Sequence, residues 1–312
     1  MNIKPSENTQ IYGMDNFFTE ISNLYDANKM PNKILFSGKK GLGKSTLAYH
    51  IINYILSIDE EYKYDKSKFF INKNNRSFKL LIKNAHPNFY LIDLIDEKKN
   101  IDISQVREMI AYTNKSSFNN MPRFILIDNI ENLNKNSVNA LLKIIEEPNE
   151  NIYFILISNN EAKILPTLRS RCLTFKINFS FNQSVNIINQ LIKRDLFEII
   201  NYDLISYYYT PGDFIGLINF AAEKKIDLKQ YYLLDFLILL IDNSYYKKNK
   251  FVKKLIFNLV ELYFLKEYKM SSAKNSLLNI YHNFIDKIYN VEKFNLDEES
   301  LFLEIKAKLL NG

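Results

Sequence analysis

From residue 33 to residue 158 the chain repeats one rhythm, a short apolar run followed by a stretch with apolar positions three and four apart. The runs at 33–37, 89–92, 124–127 and 152–158 have no polar alternation, the mark of strands buried on both faces of a parallel sheet. Between them, Leu47, Ala48, Ile51, Ile52 and Ile55 share one face of a predicted helix; so do Val106, Met109, Ile110 and Thr113, and then Val138, Leu141, Leu142 and Ile145. Asn134 is placed to cap the last of these helices and Pro148 to stop it. This βαβα order predicts an α/β domain of three layers around a mostly parallel sheet.

Beyond about residue 178 the strand pattern ends. Helical spacing predicts helices near 181–198, 212–222, 229–242, 247–268, 273–290 and 297–310, enough for two helical modules. In the fourth, Phe251, Leu255, Leu259 and Leu262 form one apolar face, which suits a bundle core or a contact with other subunits. Residues 57–85, rich in Lys, Asn and Asp with scattered aromatics, read as an insertion to which no element is assigned.

Composition narrows the function classes. With 312 residues, 47% of them hydrophobic, the chain has length and apolar content for two or three cores. The net charge of +6 comes from 41 basic and 35 acidic residues, and only six of the basic ones are arginine. That balance permits contact with a polyanion without demanding it, and lysine runs such as Lys247-Lys248 read as solvated faces. A single cysteine, Cys172, excludes an intramolecular disulfide and a four-cysteine zinc site and points to a reducing cytoplasm; it reads as a small buried hydrophobe. The first seven residues lack the apolar core of a signal peptide. The longest apolar patch, 233–241, is nine residues interrupted by Asp235, too short for a membrane span, so no membrane partner is expected.

The chemistry lies in three places. Gly38-Lys39-Lys40-Gly41-Leu42-Gly43-Lys44-Ser45 fits G-x-x-x-x-G-K-[ST] between a predicted strand and a predicted helix. In that setting backbone N–H groups wrap phosphates, Lys44 reaches the outer phosphates and the Ser45 hydroxyl ligates Mg²⁺; a glycine-rich surface turn is the alternative. The run 124–127 delivers Asp128 to the end of its strand, where it would be the Mg²⁺ partner. Next comes Asn129, where a hydrolytic P-loop enzyme would place a carboxylate to take a proton from water, and an amide cannot take it. Weak or absent hydrolysis is therefore expected. Glu131 is a possible substitute acid, and Asn159 could hold a terminal phosphate or its water, or be a simple turn asparagine. Third, Leu168-Arg169-Ser170-Arg171-Cys172 concentrates two of six arginines in a lysine-preferring chain. Guanidinium suits insertion into a phosphate site, although two structural ion pairs would use it equally.

These residues resemble the AAA+ clamp-loader subunits of bacterial DNA polymerase III, and within them the delta-prime branch, over nearly the whole chain. The resemblance rests on Gly38 to Thr46, on His86-Pro87-Asn88, on Ile103-Ser104-Gln105-Val106-Arg107, on Asn139-Ala140-Leu141-Leu142-Lys143-Ile144-Ile145-Glu146-Glu147-Pro148 and on Ser170-Arg171-Cys172. It implies an AAA+ core at 1–178, a helical lid at 179–241 and a helical collar at 242–312. It implies nucleotide binding by Gly38, Gly41, Gly43, Lys44, Ser45, Thr46 and Asn159, the last at the sensor-1 position, with ATP or ADP and Mg²⁺ on Ser45 and Asp128. Arg171 would be an arginine finger acting in trans on a neighbour's ATP. The implied partners are delta and gamma/tau subunits in a heteropentamer, the sliding clamp, and primer-template DNA through the complex. Three departures stand out. The four-cysteine zinc module after the P-loop helix is absent, so 57–85 must be ordered by other means or be mobile; Asn129 replaces the acid of motor subunits; and Thr210-Pro211-Gly212-Asp213-Phe214 supplies no sensor-2 arginine. A hydrolytic gamma/tau-type ATPase and a non-catalytic scaffold with a vestigial P-loop are the alternatives.

Overall fold

The computed structural model describes residues 4–95, 100–115, 119–146, 151–247, 249–270, 274–294 and 297–311; Glu147, Pro148 and Lys248 lie outside them. Five strands, β1 (Lys33–Ser37), β2 (Phe89–Ile92), β3 (Arg123–Ile127), β4 (Ile152–Ser158) and β5 (Leu173–Lys176), form one parallel sheet in the order β2-β3-β4-β1-β5. Helices α1 (Asp15–Asp26), α2 (Lys44–Leu56), α3 (Arg76–Ile82), α4 (Ile103–Thr113), α5 (Lys135–Glu146) and α6 (Pro166–Arg169) accompany it. They are followed by α7 (Phe181–Ile192), α8 (Leu196–Ile199), α9 (Pro211–Lys224), α10 (Leu233–Asp242), α11 (Lys250–Met270), α12 (Lys274–Phe294) and α13 (Glu298–Asn311). The chain divides into two compact units, 1–187 with 210–212, and 188–209 with 213–312.

Alternation along the strands sorts side chains into two cores. Ile34, Phe36, Phe124, Leu126, Ile155 and Ile157 join Leu47, Ile51, Ile52 and Ile55 of α2 on one face. Leu35, Ile125, Ile127, Phe154 and Leu156 join Val106 and Met109 of α4 and Leu141 and Ile145 of α5 on the other. Each such side chain, fully buried, contributes about 1.5–3 kcal/mol, which explains why the central strands are apolar over Ile34 to Phe36, Phe124 to Ile127 and Phe154 to Ile157. Asn134 caps α5 as expected, its Oδ1 accepting the Ser137 N–H at 2.8 Å. In the second unit Leu237 and Leu240 of α10, Leu255 and Leu259 of α11 and Phe302 and Ile305 of α13 are buried. Phe251, assigned to the same apolar stripe as Leu255, is only half-buried. Among the described residues no helix is long and apolar enough to cross a membrane.

Four features differ from the sequence expectation. Strand β5 carries only one buried residue, Phe175, because it is the sheet's edge beyond β1, so it shows no apolar run. Helix α1, outside the expected elements, buries Phe18 and Ile21. The single helix expected at 181–198 breaks at Lys193, which turns to φ 56°. There Asp195 caps α8 by accepting the Phe197 N–H at 2.9 Å, and Asn189 Oδ1 takes the Leu196 N–H at 2.8 Å. Cys172 is half-buried rather than buried; burial still pushes its thiol up to about 11, which keeps it protonated and unreactive.

Side-chain amides and one carboxylate order residues 57–85. Asn75 accepts from Asn53 Nδ2 at 3.0 Å and from the Phe78 N–H at 2.6 Å, and donates to the Tyr62 carbonyl at 2.8 Å. Glu60 accepts the Arg76 and Ser77 N–H groups at 2.8 and 2.9 Å, closing the start of α3 with an anion where the helix dipole favours one. Tyr64 stacks on Phe18 with ring centroids 4.8 Å apart. His50 Nε2 lies 3.0 Å from the Asn8 carbonyl, which can only accept, so Nδ1 accepts from the Tyr64 hydroxyl at 3.0 Å. Burial pushes His50 down to about 4 and holds it neutral in this pair.

Candidate nucleotide site and arginine corner

The carboxyl ends of β1, β3 and β4 meet at one edge of the sheet, because β4 lies between the other two. Ser37 of β1 pairs with Ser158 of β4, and the Gly38 N–H continues the ladder to the Ser158 carbonyl at 3.3 Å. The loop that follows closes on helix α2. Gly43 stands before the helix at φ 86°, a conformation that a Cβ would strain, and a Cβ on Gly38 would lie 2.2 Å from the Ile177 carbonyl oxygen. Glycine at both positions permits the tight turn that an anion cradle at the start of α2 requires.

Lys44 lies beneath this loop, 3% exposed, with Nζ donating to the Gly38 and Lys39 carbonyls at 2.9 and 2.6 Å. Burial pushes its ammonium down to about 8, against the opposing pull of Asp128 and Glu131. Ser45 Oγ donates to Asp128 Oδ2 at 2.5 Å, and Thr46, half-buried, is in the same first turn. Burial raises the Asp128 carboxyl above the usual range, Asp93 adds to the rise, and the Ser45 hydroxyl opposes it. A hydroxyl and a carboxylate side by side are a donor set for a hard divalent cation, and the loop beside them fits a phosphate chain. Thr210 Oγ1 and the Gly212 N–H touch the loop from outside, donating to the carbonyls of Lys40 and Gly41 at 3.0 and 2.9 Å. These contacts, a hydroxyl and an amide, involve no guanidinium.

Asn129 adopts φ 56°, a left-handed turn that asparagine tolerates better than most residues. Its Nδ2 donates to Asp93 Oδ1 at 2.6 Å and its Oδ1 accepts from Asn159 Nδ2 at 2.8 Å. Glu131 is turned to another task, its two oxygens each 3.2 Å from the Asn159 N–H. Lys44, Ser45, Asp128, Asn129, Glu131 and Asn159 are thus brought together. Arg171 has other partners. Its Nη1 donates to the Thr167 carbonyl at 2.7 Å, and its Nη2 lies 2.7 Å from Glu146 Oε1 at the end of α5; the side chain is 36% exposed.

A sequence profile described as "DNA polymerase III, delta subunit" matches residues 13–180, more than half of the chain. The chain belongs to this family. It is similar to the DNA polymerase III subunit delta' of Buchnera aphidicola subsp. Schizaphis graminum, 28% identical over 287 residues that cover 88% of this chain and 83% of that one. It is also similar to subunit gamma of the same organism, 31% identical over 235 residues, 72% of this chain and 62% of that one. Among solved structures, a DNA polymerase III gamma subunit-related protein from Thermotoga maritima is similar over 93% of this chain and 98% of that one, with a TM-score of 0.46 and 16% identity.

One member of the site escaped the sequence reading. Asp93 follows β2 as Asp128 follows β3, and the two strands are in register, Ile92 beside Ile127. Like Asp128, Asp93 stands just beyond the carboxyl end of its strand, where open parallel sheets place their ligand chemistry. What hid it was the absence of a motif around it, since its partner Asn129 lies 36 residues away.

Proposed function

We propose that this clamp-loader subunit of the delta-prime kind is a stator, which holds a nucleotide on its own P-loop without splitting it and presents Arg171 to ATP on an adjoining gamma/tau subunit. The complex would be a heteropentamer with delta and three gamma/tau copies, cytoplasmic and replisome-associated, opening a sliding clamp and loading it onto primer-template DNA. Residues 1–178 would be its AAA+ core, 179–241 its lid and 242–312 its collar.

The observation that carries this proposal is the state of Asn129. Its amide is engaged on both sides, by Asp93 and by Asn159, at the position where hydrolysis needs a free base. Binding requires nothing further. N–H groups of Gly41 and Gly43, the Lys44 ammonium and the hydroxyls of Ser45 and Thr46 would hold ATP or ADP, with Asn159 at the outer phosphate; Gly38, whose N–H is engaged by the Ser158 carbonyl, would serve the site by its turn. Ser45 and Asp128 would hold Mg²⁺, which when bound offsets the phosphate charge. Arg171 fits its role because two of its five N–H donors fix the guanidinium to Thr167 and Glu146 at a partly exposed position. An exposed ion pair of that kind is worth only about 0.2–1 kcal/mol, so a phosphate can displace the carboxylate at little cost. A motor of the gamma/tau type is the alternative, favoured by the intact Lys44 and Ser45–Asp128 pair and by the similarity to a gamma subunit.

The test is Arg171→Ala in a complex reconstituted with gamma/tau and delta. Turnover at the adjoining site should fall about 10³-fold, the usual worth of an arginine finger, while the mass of the complex stays the same. Unchanged turnover would remove Arg171 from the mechanism.

A further inference from the structure

A chain of side-chain hydrogen bonds crosses the carboxyl edge of the sheet, one strand at a time. It begins at Asp93 after β2, passes through Asn129 after β3 and ends at Asn159 after β4, next to the strand that feeds the P-loop. Asp93 is anchored at its own end, its Oδ1 accepting the Leu94 N–H at 2.7 Å and its carbonyl accepting from Gln105 Nε2 at 2.9 Å. Glu131 fixes the far end through the Asn159 N–H.

An amide can be turned either way, but an ionised carboxylate only accepts. Asp93 therefore obliges Asn129 to point Nδ2 toward it and Oδ1 toward β4. Asn159 must answer with Nδ2, which places its NH₂ group on the side of Asn129, whose neighbour Asp128 holds Ser45. One Nδ2 proton goes to Asn129, and the other is left to donate. With a neutral residue at position 93 either orientation of the two amides is allowed, and the donor at 159 can be replaced by a carbonyl oxygen, which repels phosphate.

We propose that Asp93 is a positioning residue that sets the polarity of this amide chain and so makes Asn159 a donor to the terminal phosphate, letting the subunit tell a triphosphate from a diphosphate. This rests on nucleotide binding by the P-loop. The loop and Lys44 hold the phosphates whatever residue stands at position 93, so only the bond from Asn159 to the outermost group senses Asp93.

The sign of the effect separates this role from simple electrostatics. Removing a negative charge near the site would by Coulomb attraction favour the more highly charged triphosphate. Loss of polarity predicts the reverse. Calorimetric titration of the purified full chain with Mg²⁺ and either ADP or a non-hydrolysable ATP analogue reads the ratio of the two affinities. Asp93→Asn, which leaves both amide orientations open, should lower the preference for the triphosphate about twofold; Asp93→Lys, a donor that reverses the chain, should lower it about tenfold or more. Asp93→Glu, an acceptor only, should restore it, and the ADP affinity should stay level throughout. A preference that rises in Asp93→Lys, or losses equal for both nucleotides, would overturn the role of Asp93 alone. No binding of either nucleotide by the wild-type chain would overturn the P-loop reading and Asp93 with it.

Discussion

The P-loop corner and the Arg171 corner treat charge in opposite ways. At the P-loop, Lys44 is buried and bonded to two carbonyls, Asp128 is tied to Ser45, and the neighbouring amides are held by Asp93 and Glu131. At the other corner a guanidinium is partly exposed and held by one backbone carbonyl and one exposed carboxylate. Buried charge is expensive to hold and is tuned by its surroundings, whereas surface charge is only weakly committed and can be transferred to a new partner. The first arrangement suits a ligand that enters and stays. The second suits a group offered outward.

If the two corners serve separate sites, they can be broken separately. Lys44→Ala should weaken binding of Mg²⁺-ATP to the purified chain about 100-fold, the upper range for one charged hydrogen-bonding group, as read by calorimetry. In the reconstituted complex the same variant should keep the turnover that depends on Arg171. Loss of both would mean that the corners are coupled. A smaller effect comes from pH. Burial pushes the free Lys44 down to about 8, and a phosphate beside it would raise it again. Binding should therefore be at full strength below that value and weaken by up to about tenfold per pH unit above it, with a proton taken up on binding. Titrations near pH 9 in buffers of different ionisation enthalpy would reveal that proton; affinity independent of pH would place Lys44 away from the phosphates.

The central strands and the P-loop could be read from the sequence because burial on both sheet faces leaves continuous apolar runs, and because Gly38, Gly41, Gly43 and Lys44 are close neighbours in the chain. What escaped was set by contacts distant in sequence. The break after α7 needed a left-handed Lys193, which no propensity favours, and the edge strand β5 buries only Phe175. The order in 57–85 comes from Asn75 and Glu60, polar residues that look like loop composition until their partners Asn53, Tyr62 and Ser77 are seen beside them. Asp93 gains its meaning only through β2–β3 pairing, and Arg171 was conspicuous by composition while its hold on Glu146 was not.

The claim on which the rest depends is that an amide at position 129 allows binding and stops cleavage. Steady-state phosphate release by the purified chain, at saturating Mg²⁺-ATP with binding verified in the same sample, measures it directly. The account predicts bound nucleotide and no release above the uncatalysed background. Sustained turnover that disappears in Lys44→Ala would contradict it and make this chain a motor.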